Sequence, residues 1–255
     1  MVVHLVSFAT PQYKYAQKQL GESAMQYGVN ILHAFNERDL KKTTFFKTNK
    51  HIFNQKRGFG YWLWKPFFIL EIMKKAEQGD IIMYADAGNT VLADLKPLFK
   101  ICLNQNIVLF QVHTHKNKTW TKRDTFVLMN CDEEYYREAE QVCGSPQLYK
   151  VCPESISFVE KWLNYCQNAH ILTDYDNING AANDSEFIDH RHDQSILSLL
   201  ALKEGIKIHR DPSQYGNEFK KQCLDSPYNQ LLDLHRRKKF SLSERILSKI
   251  KRILN

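Results

Sequence analysis

The chain has 255 residues, 43% hydrophobic and 25% charged, an ordinary globular composition long enough for one large or two small domains. No apolar run approaches the roughly 18 residues of a membrane-crossing helix, and MVVHLVSFAT is interrupted too soon for a secretory leader. The net charge of +7 is uneven: residues 231–255 hold eight basic against two acidic residues, leaving about +1 on a body that charge does not suit to nucleic acid.

Residues 2–9 read as a first strand, ended by Thr10 and Pro11. The proline is tolerated in the first turn of a helix that runs to about residue 27. Gly28 turns the chain into a second short strand, 30–35. This β-α-β opening with short connections begins a Rossmann-like sheet. Neither G-x-G-x-x-G nor G-x-x-x-x-G-K-[ST] follows the first strand, which disfavours dinucleotide and P-loop phosphate sites. Ser7, Ala9 and Thr10 suit a nucleotide base or ribose, and equally an ordinary strand end. Residues 36–59 read as an exposed loop with a short helix. Trp64, Lys65 and Pro66 then precede a helix over 67–78. Lys65, just outside its N-terminus, is either part of a phosphate cradle or a solvated lysine on an aromatic loop.

Residues 81–85 (IIMYA) are a continuous apolar run, which suits a strand covered on both faces. Asp86 follows at its carboxyl end, where open α/β sheets place ligands, although Asp-x-Gly is also an ordinary turn cap. A short helix at 95–99, a strand at 107–112 and a polar, basic loop at 113–123 come next. Residues 124–144 read as a helix, 147–152 as a strand, and Pro153 opens an amphipathic helix. Residues 174–186 are polar and turn-rich. His190-Arg191-His192-Asp193-Gln194-Ser195 opens a helix over 196–203, ended by Gly205 before a last strand at 206–208. In an extended segment His190 and His192 face one way and Arg191 the other. That arrangement suits a metal pair, a base or a phosphate clamp; the alternative is simple capping by Asp193. The six cysteines contain no C-x-x-C pair, which excludes a zinc ribbon or thioredoxin-like motif and reads as reduced packing thiols.

Taken together, RGFGYWLWKP (57–66), GDIIMYADAG (79–88) and HRHDQSILSLL (190–200) resemble nucleotide-sugar glycosyltransferases of the GT-A fold that build bacterial and viral surface glycans. The resemblance spans about residues 2–215. It implies an α/β domain over residues 1–230, GT-A-like and Rossmann-like, with a mostly parallel central sheet flanked by helices. It also implies transfer of a sugar from a nucleoside diphosphate-sugar donor to a hydroxyl of a glycan or lipid-linked acceptor, in synthesis of lipopolysaccharide, O-antigen or capsule. Asp86 matches the first acid of a D-x-D-like element, which approaches a divalent cation (Mn2+ or Mg2+), the donor ribose or both. Gly88 stands where the second acid would be, so either the reaction needs no metal or another ligand such as His192 completes a site with Asp86. Asp193 and Gln194 match a D-Q element beside sugar and acceptor and are the expected catalytic residues, Asp193 orienting a hydroxyl or deprotonating the acceptor. Ser7, Ala9, Thr10, Trp64, Lys65, Asp86, Ala87 and Gly88 are expected to bind the donor, with Lys65 at its phosphates.

Residues 231–255 read as a basic amphipathic helical tail. Ser241 and Glu244 form an S-x-x-E capping box, and Leu242, Ile246, Leu247, Ile250, Ile253 and Leu254 share one face. Such a helix suits an anionic membrane surface, or docking on the body or a twin subunit. The first reading places the protein in the cytoplasm, peripheral on the inner face of the cell membrane. Two rival functions are a non-catalytic, membrane-recruited nucleotide- or carbohydrate-binding protein and a sugar-1-phosphate nucleotidyltransferase. The latter needs a Gly-rich basic loop after the first strand, and Phe8-Ala9-Thr10-Pro11-Gln12 is not one.

Overall fold

A computed structural model describes residues 1–235 and 237. The basic amphipathic helix expected after residue 240 lies outside the described residues. The strands are β1 (Val3–Ala9), β2 (Ile31–Asn36), β3 (Ile81–Tyr84), β4 (Asn89–Val91), β5 (Ile107–Lys116), β6 (Glu140–Val142), β7 (Gln147–Lys150), β8 (Ile208–His209) and β9 (Leu232–Leu234). The longer helices are α1 (Lys14–Gln26), α2 (Trp64–Met73), α3 (Lys96–Asn104), α4 (Pro153–Cys166) and α5 (Asp193–Lys203).

Seven strands form one sheet in the order β2-β1-β3-β7-β5-β6, with β8 also on β5. β1, β2, β3, β5 and β8 point one way and β6 and β7 the other, so the sheet is mixed but mostly parallel. Alternation along each strand feeds two apolar layers. Val6 and Phe8 of β1 and Ile82 and Tyr84 of β3 pack with α2, α4 and α5. Val3 and Leu5 of β1 and Ile81 and Met83 of β3 pack with α1 and α3 on the other face. Burial on both faces is why IIMYA is apolar throughout.

β1 pairs with β2 on one side and with β3 on the other. The chain therefore reverses its direction of winding between β1 and β3, and a crevice opens outside their carboxyl ends. β9 pairs with β4 (Thr90 opposite Asp233), and the His235 N–H donates to the Gly88 carbonyl at 3.0 Å. The first residues after position 230 thus hold the turn that follows Asp86.

The structure departs from the expected elements in several places, and α2 begins at Trp64 rather than at residue 67. Residues 124–144 are not one helix: helical turns at Arg123–Leu128 and Glu134–Glu138 are followed by β6. Asn130, at φ 53°, breaks the helix, and Gln111 and Lys116 of β5 offer Val142 and Glu140 a strand partner. β5 accordingly runs on through Lys116, into the stretch expected to be loop. Residues 36–59 are helical turns whose Leu40, Ile52 and Phe53 are buried in the core.

Trp162 of α4 is fully buried, and its indole N–H donates to the Asp193 carbonyl at 3.0 Å. Trp162→Ala is expected to destabilise the fold by about 3–5 kcal/mol in denaturant unfolding. A loss under about 1 kcal/mol would contradict this packing.

Candidate active site

The crevice is built from the ends of β1 and β3, the N-termini of α2 and α5, and the turn joining β6 to β7. Lys65 lies in the first turn of α2, inside the protein rather than in solvent. Its side chain is 4% exposed, as is that of Asp193 in the first turn of α5. Lys65 Nζ is 2.7 Å from Asp193 Oδ2 and 3.9 Å from Asp86 Oδ1, and it donates to the Gly144 carbonyl at 3.1 Å. Asp86 is the open member, with its side chain 47% exposed. The Tyr84 hydroxyl donates to Asp86 Oδ1 at 2.5 Å, and the Asp86 N–H donates to Ser145 Oγ at 2.9 Å.

Burial shifts these groups in opposite senses. Asp193 is pushed up to about 6, chiefly by burial, with Asp86 adding to the rise and Lys65 opposing it. Burial alone would lower the Lys65 ammonium, but Asp193 and Asp86 outweigh it and its pKa is raised. At neutral pH both statements describe an ion pair whose carboxylate is the group closer to accepting a proton.

Gln194 Nε2 donates to Gln141 Oε1 at 2.9 Å, which turns Gln194 Oε1 toward Gly144. A Cβ on Gly144 would sit 3.2 Å from Lys65 Nζ and 3.4 Å from Gln194 Oε1, closer than that gap admits without movement. Gln141, Gly144 and Ser145 are site residues that the sequence reading missed, because it placed two of them inside a helix. Ser7 Oγ and Thr10 Oγ1, at the end of β1, are buried without a hydrogen-bond partner among the described residues. Trp64 is committed elsewhere: its ring stacks on Phe8 at 4.1 Å and its N–H donates to the Gly58 carbonyl. Ala87 is buried.

His192 faces other partners than Asp86. Its Nδ1–H donates to the Leu172 carbonyl at 2.9 Å, its Nε2 is 3.7 Å from Asp174, and its ring lies 4.5 Å from Tyr61 and 5.7 Å from Trp62. Asp86 is bonded instead to the Tyr84 hydroxyl and Ser145 Oγ. Among the described residues no three His, Cys, Asp or Glu side chains group to hold a metal ion.

The aromatic loop before α2 has an unusual backbone. Gly58, Phe59, Gly60, Tyr61 and Trp62 have φ of 57°, 52°, 82°, 53° and 60°. The three non-glycine residues each cost about 1–2 kcal/mol in this left-handed region. Gly60 is needed here: it has a left-handed φ, and a Cβ would meet Phe53 at 2.6 Å.

No protein-family model matches the chain, and no curated protein matches it. Solved structures do. The galactosyltransferase LgtC, in complex with donor and acceptor sugar analogs, has a TM-score of 0.51 at 11% identity, covering 98% of this chain and 94% of that one. The apo structure of the bifunctional glycosyltransferase WbbM has a TM-score of 0.53 at 10% identity, covering 92% of this chain. This chain spans 46% of the WbbM chain. The likeness establishes a shared GT-A-like fold, as the sequence motifs led us to expect.

The histidines beside Asp193 make a stability prediction. Burial holds His190 well below its ordinary value and His192 at about 4. Unfolding frees both to take up protons near 6.5. Their contribution is complete above about pH 6.5 and falls as pH drops toward 4, by about 1.4 kcal/mol per unit for each proton. The melting temperature should therefore begin to fall above pH 5. A flat profile from pH 7 to 5 would contradict the buried neutral imidazoles.

Proposed function

We propose that this chain is a glycosyltransferase that moves a sugar from a nucleoside diphosphate-sugar to an acceptor hydroxyl. The observation that carries the reading is the convergence of Lys65, Asp86, Asp193 and Gln194 on the crevice between β1 and β3. The fold shared with LgtC, a structure in complex with donor and acceptor sugar analogs, supports the same reading.

In the proposed reaction the acceptor oxygen bonds to the anomeric carbon. The bond from that carbon to the donor phosphate oxygen breaks, and the nucleoside diphosphate leaves with the bonding electrons. Asp193 takes the acceptor proton. A carboxylate at about 6 is mostly ionised at neutral pH yet basic enough to accept it. Lys65 keeps this buried carboxylate charged and fixed. Asp86, at the solvent edge, receives donor hydroxyls, and Gln194 Oε1 lies close beside Gly144.

The wider role we propose is surface-glycan synthesis on a glycan or lipid-linked acceptor. The basic segment after residue 235 would hold the protein to the anionic inner face of the cell membrane.

Nucleoside diphosphate release from a panel of donor sugars, with and without Mn2+, tests the chemistry. Asp193→Asn should lower kcat by roughly 100-fold or more, and wild-type kcat should rise with pH through about 6 and then level. Asp86→Asn should lower kcat/KM. Full activity in both variants would refute the site. Removing residues 236–255 should abolish sedimentation with anionic vesicles and spare nucleotide release, because the strand pairing that holds the Asp86 turn ends before the cut. Unchanged vesicle binding would sink the membrane role.

A further inference from the structure

Two stretches of improbable backbone meet at one ring contact, and each leads directly into one half of the buried ion pair. Residues 58–62 all have positive φ, and Lys65 follows three residues later. His192 has φ 53° and ψ −119°, a conformation suited to glycine, and Asp193 is the next residue. The Tyr61 and Trp62 rings lie 4.5 and 5.7 Å from the His192 imidazole, and the His190 ring meets it at 4.9 Å.

Arg57 spans the same junction from outside. Its Nη1 donates to Asp174 at 3.2 Å and to Asp189 at 3.1 Å, and its Nη2 donates to Asp189 as well. Asp174 in turn lies 3.7 Å from His192 Nε2. The proposed reaction uses none of these groups. A ring-bearing residue persists at a glycine-like conformation only when its contacts outweigh the backbone cost, and such strain gathers where geometry must be held.

We propose that Tyr61, Trp62 and His192, latched by Arg57 across Asp174 and Asp189, are positioning residues that hold Lys65 and Asp193 against each other. Each strained segment is stable only while the other is docked on it. The ion pair is thereby fixed from both sides before any ligand arrives. The kinetic consequence rests on the proposed glycosyl transfer, whereas the geometric consequence does not.

The test uses the full chain and two readouts. The first is acetylation of Lys65 by acetic anhydride, followed by mass spectrometry. The second is nucleotide release from donor sugars. His192→Gly suits the backbone and removes the ring; Arg57→Gln opens the exposed latch without touching the core. Both variants should acetylate Lys65 at least about tenfold faster than wild type while melting within a few degrees of it, because the opening is local. Their kcat should fall by roughly 100-fold with donor KM within about threefold, the signature of misplacement rather than lost binding. His192→Phe, which keeps the stacked ring, should stay within about threefold of wild type in both readouts.

Lys65 as protected in His192→Gly and Arg57→Gln as in wild type would overturn the proposal. So would a loss confined to KM. If His192→Gly does not fold, the acetylation rate and kcat of Arg57→Gln decide the question alone. If the wild-type chain releases nucleotide from no donor, the glycosyl-transfer reading falls, and the acetylation rates by themselves decide the positioning claim.

Discussion

The structure depends on a buried lysine whose nearest counter-charge is itself buried. An isolated ammonium in a protein interior is costly, so Lys65 is tolerable chiefly because Asp193 stands 2.7 Å away, with Asp86 at 3.9 Å. The pair also reconciles two helix ends. Asp193 in the first turn of α5 has the sign that a helix N-terminus favours, whereas Lys65 in the first turn of α2 has the wrong one. Joining them lets both N-termini point into one crevice. Trp162 of α4 seals the arrangement through its bond to the Asp193 carbonyl, so three helices of one layer meet at a single polar point.

The sheet decides where that point lies. Because β2 and β3 flank β1 on opposite sides, the crevice opens at the ends of β1 and β3 and receives Thr10 and Asp86. The antiparallel β7, next to β3, brings the Gly144–Ser145 turn against Asp86 from the other side. Asp86 is therefore exposed by topology and Asp193 buried by packing. The two acids sit in different surroundings, one suited to meeting a ligand and the other to holding or taking a proton.

Much of this was legible in the sequence, for local reasons. The apolar run 81–85 and its terminal acid identify a two-sided strand and the end at which Asp86 is exposed, and the β-α-β opening follows from turn residues and periodicity. What was not legible depends on distant partners. β6 hides in a stretch with helical composition because its pairing with β5 is not encoded locally. Lys65 reads as a phosphate ligand or a solvated lysine, and not as half of a buried pair, because its partner lies 128 positions away. The left-handed run at 58–62 contains Phe59, Tyr61 and Trp62, whose identities give no hint of positive φ. His192 looks like a metal ligand by type, and only the fold brings its ring onto Tyr61 and Trp62.

The central claim is that the Lys65–Asp193 pair organises the crevice. A double-mutant cycle on unfolding free energy measures it most directly, using Lys65→Met, Asp193→Leu and the two together. Breaking a buried pair by removing one partner costs about 3–5 kcal/mol, while replacing both by apolar residues is often close to neutral. Mutual dependence of the two charges predicts that Lys65→Met alone is severely destabilised and that adding Asp193→Leu restores most of the loss. Losses that simply add would mean that the two charges do not depend on each other, and would contradict the claim.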